Sequence, residues 1–260
     1  MNLNFTMGKI VAIGGKKITL SEKENFERLP IDKEIISLTK KQSPRILFIP
    51  TASSDSEEEC LAVKEYYKKN FNCAVSFLKL IKSNLSHNQI TKSIMETDIV
   101  YVGGGNTLKM LKIWKKKKID KILFSAFEKG IILSGTSAGA ICWFKHGNSD
   151  SLRFSQKKSK KLIRIKGLGI IPFMVCPHYD SEEDRKPATI EMIKEYGETV
   201  IALDDCSALE YIDGKYKIIN SKKGSGVYQL FKTKRNISIK ELSQKEEYYF
   251  DKDKNQLVAK

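Results

Sequence analysis

A serine hydroxyl becomes a useful nucleophile only where the backbone presents it to a base, and one stretch of this chain has a pattern that does so. Residues Ile131-Ile132-Leu133-Ser134-Gly135-Thr136-Ser137-Ala138-Gly139-Ala140 read as a buried strand running into G-x-S-x-G and then into a small-residue helix start. Gly135 and Gly139 permit the close backbone approach of a tight strand-to-helix turn, which leaves Ser137 projecting above the sheet. The amide of Ala138, at the head of the helix, is aimed at the same spot and is a candidate donor to a developing oxyanion. The competing reading is a serine that merely caps a helix, since serine is a favoured N-cap. The strand before it and the partners below favour the nucleophile.

Such a nucleophile needs a base, and the base needs a third group to orient it. Of the three histidines, His178 in Val175-Cys176-Pro177-His178-Tyr179-Asp180 stands at the end of a strand in a polar loop; His87 lies in a Ser-Asn-rich stretch before a helix, and His146 in a basic connection. Asp204 and Asp205 directly follow the strand-like run Val200 to Leu203, and either carboxylate could receive the imidazole N–H. Ser137, His178 and the aspartate pair each follow a predicted strand. All are therefore expected on one carboxyl edge of a parallel sheet, where the sites of open α/β sheets gather. No second histidine or carboxylate cluster flanks the aspartates, which argues against a metal there. The chain order serine, histidine, aspartate differs from that of the α/β-hydrolases, which is serine, acid, histidine.

A second loop, Val102-Gly103-Gly104-Gly105-Asn106-Thr107, also follows a strand and opens a helix. Glycines in this setting can cradle a phosphate, but the loop has neither G-x-G-x-x-G nor the Lys-Ser/Thr ending of a P-loop. The preferred reading is a second oxyanion donor, the amide of Gly105, facing the elbow from an adjacent strand.

The elements that must hold these loops are short β-rich runs alternating with helix-period segments, the signature of βαβ units around a mainly parallel sheet flanked by helices. Predicted strands are 9–13, 45–49, 74–78, 99–102, 131–133, 174–176 and 199–203, and predicted helices 56–70, 106–117 and 187–196. Residues 145–166 are basic and polar and are expected to hold at most a short hairpin, while the chain after Leu203 reads as antiparallel strands with a turn at Asp213-Gly214 and a loop at 222–226. The whole, residues 1–260, is expected to form one α/β domain with its chemistry within 8–212 and strands and a tail over 213–260. Met7 precedes the first strand, which leaves residues 1–6 as a leader or the product of a misassigned start.

The formal charge of +15 is spread along the chain, and the two lysine-dense runs, 115–118 and 157–161, lack the interleaved aromatics of a single-strand binder. Both read as solvated faces, and no nucleic-acid partner is expected. Five dispersed cysteines offer neither a zinc spacing nor C-x-x-C, and no segment has the length of a signal peptide core or a membrane span. The expectation is a cytoplasmic protein that needs no metal or cofactor and has no membrane partner, with a homo-oligomer left open.

Together, GGGNT at Gly103 to Thr107, GTSAGA at Gly135 to Ala140, CPHYD at Cys176 to Asp180 and LDDCSAL at Leu203 to Leu209 resemble the peptidase E and cyanophycinase family of serine peptidases, over most of residues 8–212. The resemblance implies a three-layer fold like that of the class I glutamine amidotransferases. It also implies Ser137 as nucleophile, His178 as base, Asp205 as its acidic partner and the amides of Gly105 and Ala138 as oxyanion donors, acting on a small peptide. The family's activities include cleavage of dipeptides beginning with aspartate and of β-aspartyl-arginine polymer. Arg185 is accordingly a candidate to grip an acidic group, with a surface salt bridge to the acidic run 180–184 as its alternative, and Asn106 is a second candidate substrate contact. The chain departs from the pattern in one respect, with aspartate where better-known members look to have glutamate. The loop must then move inward, or Asp204 serve, or the triad loosen. The rivals to a peptidase are a related amidase or acyltransferase, or a binding or regulatory protein that has lost catalysis; serine at the elbow argues against a cysteine-type glutaminase.

Overall fold

The computed structural model of this protein describes residues 8–155, 159 and 161–260. Its centre is made of short apolar runs, because a strand covered on both faces has no polar side to show. β1 (Lys9–Ile13), β2 (Arg45–Ile49), β3 (Ala74–Phe77), β4 (Ile99–Val102) and β5 (Ile132–Thr136) lie parallel in the spatial order β1-β5-β4-β2-β3. Their connections carry α1 (Glu22–Asn25), α2 (Leu29–Ser37), α3 (Glu57–Phe71), α4 (His87–Met95), α5 (Thr107–Lys117) and α6 (Ile119–Glu128). Helix α3 begins on the Ser56 cap with three glutamates in its first turn and ends with Lys68 and Lys69 in its last, matching the helix dipole at both ends. The lysine run 115–118 closes α5 in the same way, with Lys115, Lys116 and Lys118 exposed.

After β5 the chain leaves this sheet. The four-residue α7 (Ala138–Ile141) turns it into β6 (Phe144–Ser149), which with β7 (Ile163–Lys166), β8 (Ile171–Cys176) and β9 (Val200–Leu203) builds a second sheet; α8 (Leu152–Ser155) and α9 (Arg185–Tyr196) lie in the connections. Residues 204–206 lead back to the first sheet, where β10 (Ser207–Ile212) runs antiparallel to β1 and pairs across the Asp213-Gly214 turn with β11 (Lys215–Asn220). β12 (Val227–Lys232) and β13 (Ile237–Glu241) extend the second sheet beyond β9, and β14 (Tyr248–Asp251) and β15 (Gln256–Ala259) finish the first beyond β11.

The single, mainly parallel sheet expected from the sequence is thus corrected, among the described residues, to two mixed sheets, one of nine strands and one of six. The cause is that an apolar run specifies burial on both faces but not which neighbour it pairs with. Strand β6 escaped notice because its buried residues include His146, Asn148 and Ser149, which break the apolar pattern. The expected hairpin within 145–166 is present as the antiparallel pairing of β6 with β7. Of the lysine run 157–161, Lys157, Lys158 and Lys160 lie outside the described residues, as do residues 1–7.

One face of the first sheet, with Leu47, Val102 and Leu133, packs on Met110, Trp114 and Leu123 of the helices and on Phe173, Val175 and Ile201 of the second sheet in a continuous core. Its other face, with Val11, Phe48 and Tyr101, is covered by Ile35, Val63 and Tyr67 of α2 and α3. The outer face of the second sheet lies under Met192 and Ile193 of α9. Among the described residues no helix is long and apolar enough to cross a membrane.

Candidate active site

Ser137, His178 and Asp205 do not share one sheet edge; they meet where the two sheets exchange the chain. Ser137 directly follows β5 of the first sheet, His178 follows β8 of the second, and Asp205 lies on the passage from β9 back to β10. Backbone bonds lace these ends together through the loop after β1: the amide of Ser137 donates to Ile13 O at 3.1 Å, that of Gly14 to Ser207 O at 2.9 Å, that of His178 to Gly14 O at 3.3 Å and that of Tyr179 to Leu203 O at 3.1 Å. Asp180 adds a further tie by accepting from the Asp205 amide at 2.8 Å.

The side chains form a line. His178 Nδ1 lies 2.8 Å from Asp205 Oδ1, and His178 Nε2 lies 2.9 Å from Ser137 Oγ. Because an ionised carboxylate only accepts, Nδ1 carries the proton and Nε2 is left to accept from the hydroxyl. Burial opposes the charge on Asp205, but the hydrogen bond and charge of His178, helped by Ser181 and Lys16, outweigh it and hold the carboxyl below the usual aspartate range. Asp204 faces the other way: it is buried, accepts from the Gly226 amide at 2.8 Å, and burial pushes its pKa up to about 6. Of the two aspartates it is therefore Asp205 that reaches the imidazole.

Two of these residues hold backbone conformations that side chains rarely adopt, Ser137 at φ 55° and ψ −109° and His178 at φ 54°. The glycines beside Ser137 serve close approach: a β-carbon on Gly135 would lie 2.5 Å from Gly139 O, and one on Gly139 would lie 2.7 Å from Val102 C. Gly104 packs directly on Ser137, and Gly105 sits at φ 128° against the backbone of Ala52. Among the described residues the amides of Gly104, Gly105 and Ala138 have no hydrogen-bond acceptor, so they remain able to donate.

Ser137 and His178 open on a cavity of about 680 Å³ walled by residues 17–20, by Ala52 to Ser54, by Ser56, Glu58, Glu59, Ala62 and Lys109, and by the glycine loop with Asn106. Asn106 is in this wall, and its side chain accepts from the Lys109 amide at 2.9 Å as the cap of α5. Arg185 is not brought here. It is 1% exposed, with Nε bonded to Glu182 at 2.9 Å and Nη1 to Asn148 O at 2.7 Å, so its charge is committed inside the fold, and the expectation that it grips substrate is withdrawn. His87 is exposed at the start of α4, and His146 pairs with Glu198 at 2.7 Å; neither lines the cavity.

The sequence reading missed the loop after β1. A β-carbon on Gly15 would come within 2.5 Å of His178 Nδ1 and 2.7 Å of Asp205 Cγ, so only glycine lets that loop seal the back of the pair. Gly14-Gly15 directly after a strand was a signal of the same kind as the Gly103 loop. It also missed Glu59, whose carboxyl turns into the cavity, accepts from Ser53 and is raised above the usual glutamate range by burial, against the opposing pull of Ser53 and Lys17.

An acid, imidazole and hydroxyl in line, with free amides beside the hydroxyl, are the equipment of nucleophilic acyl transfer. The comparisons with known proteins agree at the level of family. The chain belongs to peptidase family S51, whose model matches residues 11–219. It is 36% identical over 236 residues to an uncharacterised peptidase of Bacillus subtilis strain 168, YgaJ, a match covering 89% of this chain and 96% of that protein. It is 24% identical over 153 residues to peptidase E of Streptomyces coelicolor, covering 55% of this chain and 60% of that one. Among solved structures, a peptidase from an acI-B1 Actinobacterium shares the fold with a TM-score of 0.69 at 18% identity, over 95% of this chain and 98% of the other.

Proposed function

We propose that this chain hydrolyses small peptides by serine-type, acyl-enzyme chemistry. The observation that carries the reading is the line Asp205–His178–Ser137, with separations of 2.8 and 2.9 Å, whose hydroxyl and imidazole line a cavity. As Ser137 Oγ attacks the scissile carbonyl carbon, its proton passes to His178 Nε2, and Asp205 stabilises the resulting imidazolium. The carbonyl oxygen, now anionic, is held by the amides of Gly105 and Ala138. Collapse expels the amine, which takes the proton from His178. Water, deprotonated by the same nitrogen, then attacks the acyl ester, and release of the acid returns the proton to Ser137.

With Arg185 committed elsewhere, the cations that line this cavity among the described residues are Lys17 and Lys109. They support a preference for peptides beginning with aspartate. The test is a dipeptide library with acidic and neutral first residues, screened with wild type and Ser137→Ala. Turnover is expected to vanish in Ser137→Ala, and a fluorophosphonate probe is expected to label wild type alone. Retained turnover in the purified variant would refute the mechanism, and equal rates on acidic and neutral members would remove the preference.

A further inference from the structure

Helix α3 opens with Ser56-Glu57-Glu58-Glu59, the spacing of a capping box, in which the serine side chain takes the amide three residues on and the glutamate reaches back to the serine amide. Only the first half forms: the Glu59 amide donates to Ser56 Oγ at 3.3 Å. In α4 the same spacing closes completely, with Gln89 Oε1 accepting from the Ser86 amide at 2.8 Å. Glu59 gives up the return bond and turns its carboxyl into the cavity, where Ser53 donates to Oε2 and Oε1 rests against Gly103.

Lys17 acts on that carboxyl across the cavity wall, but among the described residues no cation touches it. Glu57, two residues earlier, pairs with Lys79 at 2.5 Å, yet among the described residues no lysine or arginine lies within ion-pair distance of Glu59, in a chain whose formal charge is +15. A partly buried carboxylate left unpaired is costly unless something arrives to pair with it. Its location says what arrives. Glu59 and Ser137 line the same cavity, so a ligand seated there can meet both. The neighbouring serine, Ser54, accepts from Lys109 at 2.8 Å, so opposite charges are held side by side in one wall.

We infer that Glu59, oriented by Ser53, forms an ammonium-binding subsite, so that substrates carry a positive amino group into this end of the cavity. The inference rests on the peptidase reading above and adds a specificity residue to it. The ammonium could belong to the peptide's free N-terminus or to a lysyl side chain, and the ligands below separate the two.

Binding is measured in the Ser137→Ala protein by titration calorimetry, so that turnover plays no part, with Ala-Leu, N-acetyl-Ala-Leu and Nα-acetyl-Lys-Leu. A charge-assisted contact predicts that Ala-Leu, or Nα-acetyl-Lys-Leu if the side chain is what is read, binds about ten- to a hundredfold tighter than N-acetyl-Ala-Leu. Adding Glu59→Gln should reduce that ratio to about threefold or less, and Ser53→Ala should reduce it in part. Melting curves check that each variant is folded. Equal binding of all three ligands, no binding by any, or a preference that survives in folded Glu59→Gln would overturn the inference. None of these results bears on whether Ser137→Ala abolishes turnover, so the two readings fail separately.

Discussion

Replacing Gly15 with alanine is expected to lower kcat/KM by about a hundredfold or more without unfolding the protein. Gly15 does not sit at positive φ, so alanine meets no backbone obstacle and the methyl group alone decides the outcome. That methyl would lie 2.5 Å from His178 Nδ1 and 2.7 Å from Asp205 Cγ, where ordinary contact begins at 3.4 Å. The methyl would overlap Asp205 Oδ1 more deeply still, so relief requires about 0.9 Å of movement on the imidazole side and about 1.8 Å at that carboxylate oxygen, which would break the present 2.8 Å hydrogen bond. A displacement near 1 Å in a catalytic group costs about a hundredfold, and loss of the acid that sets the imidazole tautomer costs up to about ten thousandfold. Steady-state rates on whichever dipeptide the wild type cleaves best give the size of the loss, and a double-mutant cycle gives its route. If Gly15→Ala acts through the pair, combining it with Asp205→Ala should be no slower than Asp205→Ala alone. Activity within about threefold of wild type, or losses that multiply in the double variant, would refute the reasoning. The melting temperature should fall by no more than about 4 °C, equivalent to about 1 kcal/mol in a chain of this size.

Arg28 and Asp32 are both fully buried and paired at 2.6 Å, with Tyr66 and Tyr67 donating to the same carboxylate, so Arg28→Ala should cost about 3–5 kcal/mol by urea denaturation because it strands that charge. Arg185→Ala should lose about 2 kcal/mol of stability through its bonds to Glu182 and Asn148 while leaving KM for an acidic dipeptide within about threefold; a large rise in KM would restore the substrate role withdrawn above. Burial, with Glu34 opposite, raises the Glu210 carboxyl to about 7. A raised carboxyl favours the folded state while protonated. Its contribution is therefore full below the unfolded pKa of about 4.3 and is lost as pH rises through about 7, amounting to roughly 4 kcal/mol at most. Glu210→Gln should accordingly flatten the decline in melting temperature between pH 5 and 8, and identical slopes in both proteins would contradict this.

Much of the site could be read from local sequence, because local sterics write it. The elbow around Ser137 needs glycines on both sides, the glycine loop needs Gly105 at positive φ, and both follow continuous apolar strands whose limits were visible to within a residue or three. The histidine was legible too, as the one polar-loop histidine after such a strand. Glu59 shows where local reading stops: its capping-box spacing is genuine, yet the side chain answers to Ser53 and the cavity instead of to its own helix.

Sequence by itself thus determined which segments become strands, which loop carries the hydroxyl and which the imidazole, since those depend on burial pattern and backbone freedom over a few residues. Only the tertiary structure decided that the strands sort into two sheets, that Asp205 and not Asp204 meets His178, that Arg185 is spent inside the fold, and that Gly15 closes the site from behind. Each of these is a choice among partners far apart in the chain. Pairing, packing and charge compensation between distant residues make that choice, and no local pattern encodes it.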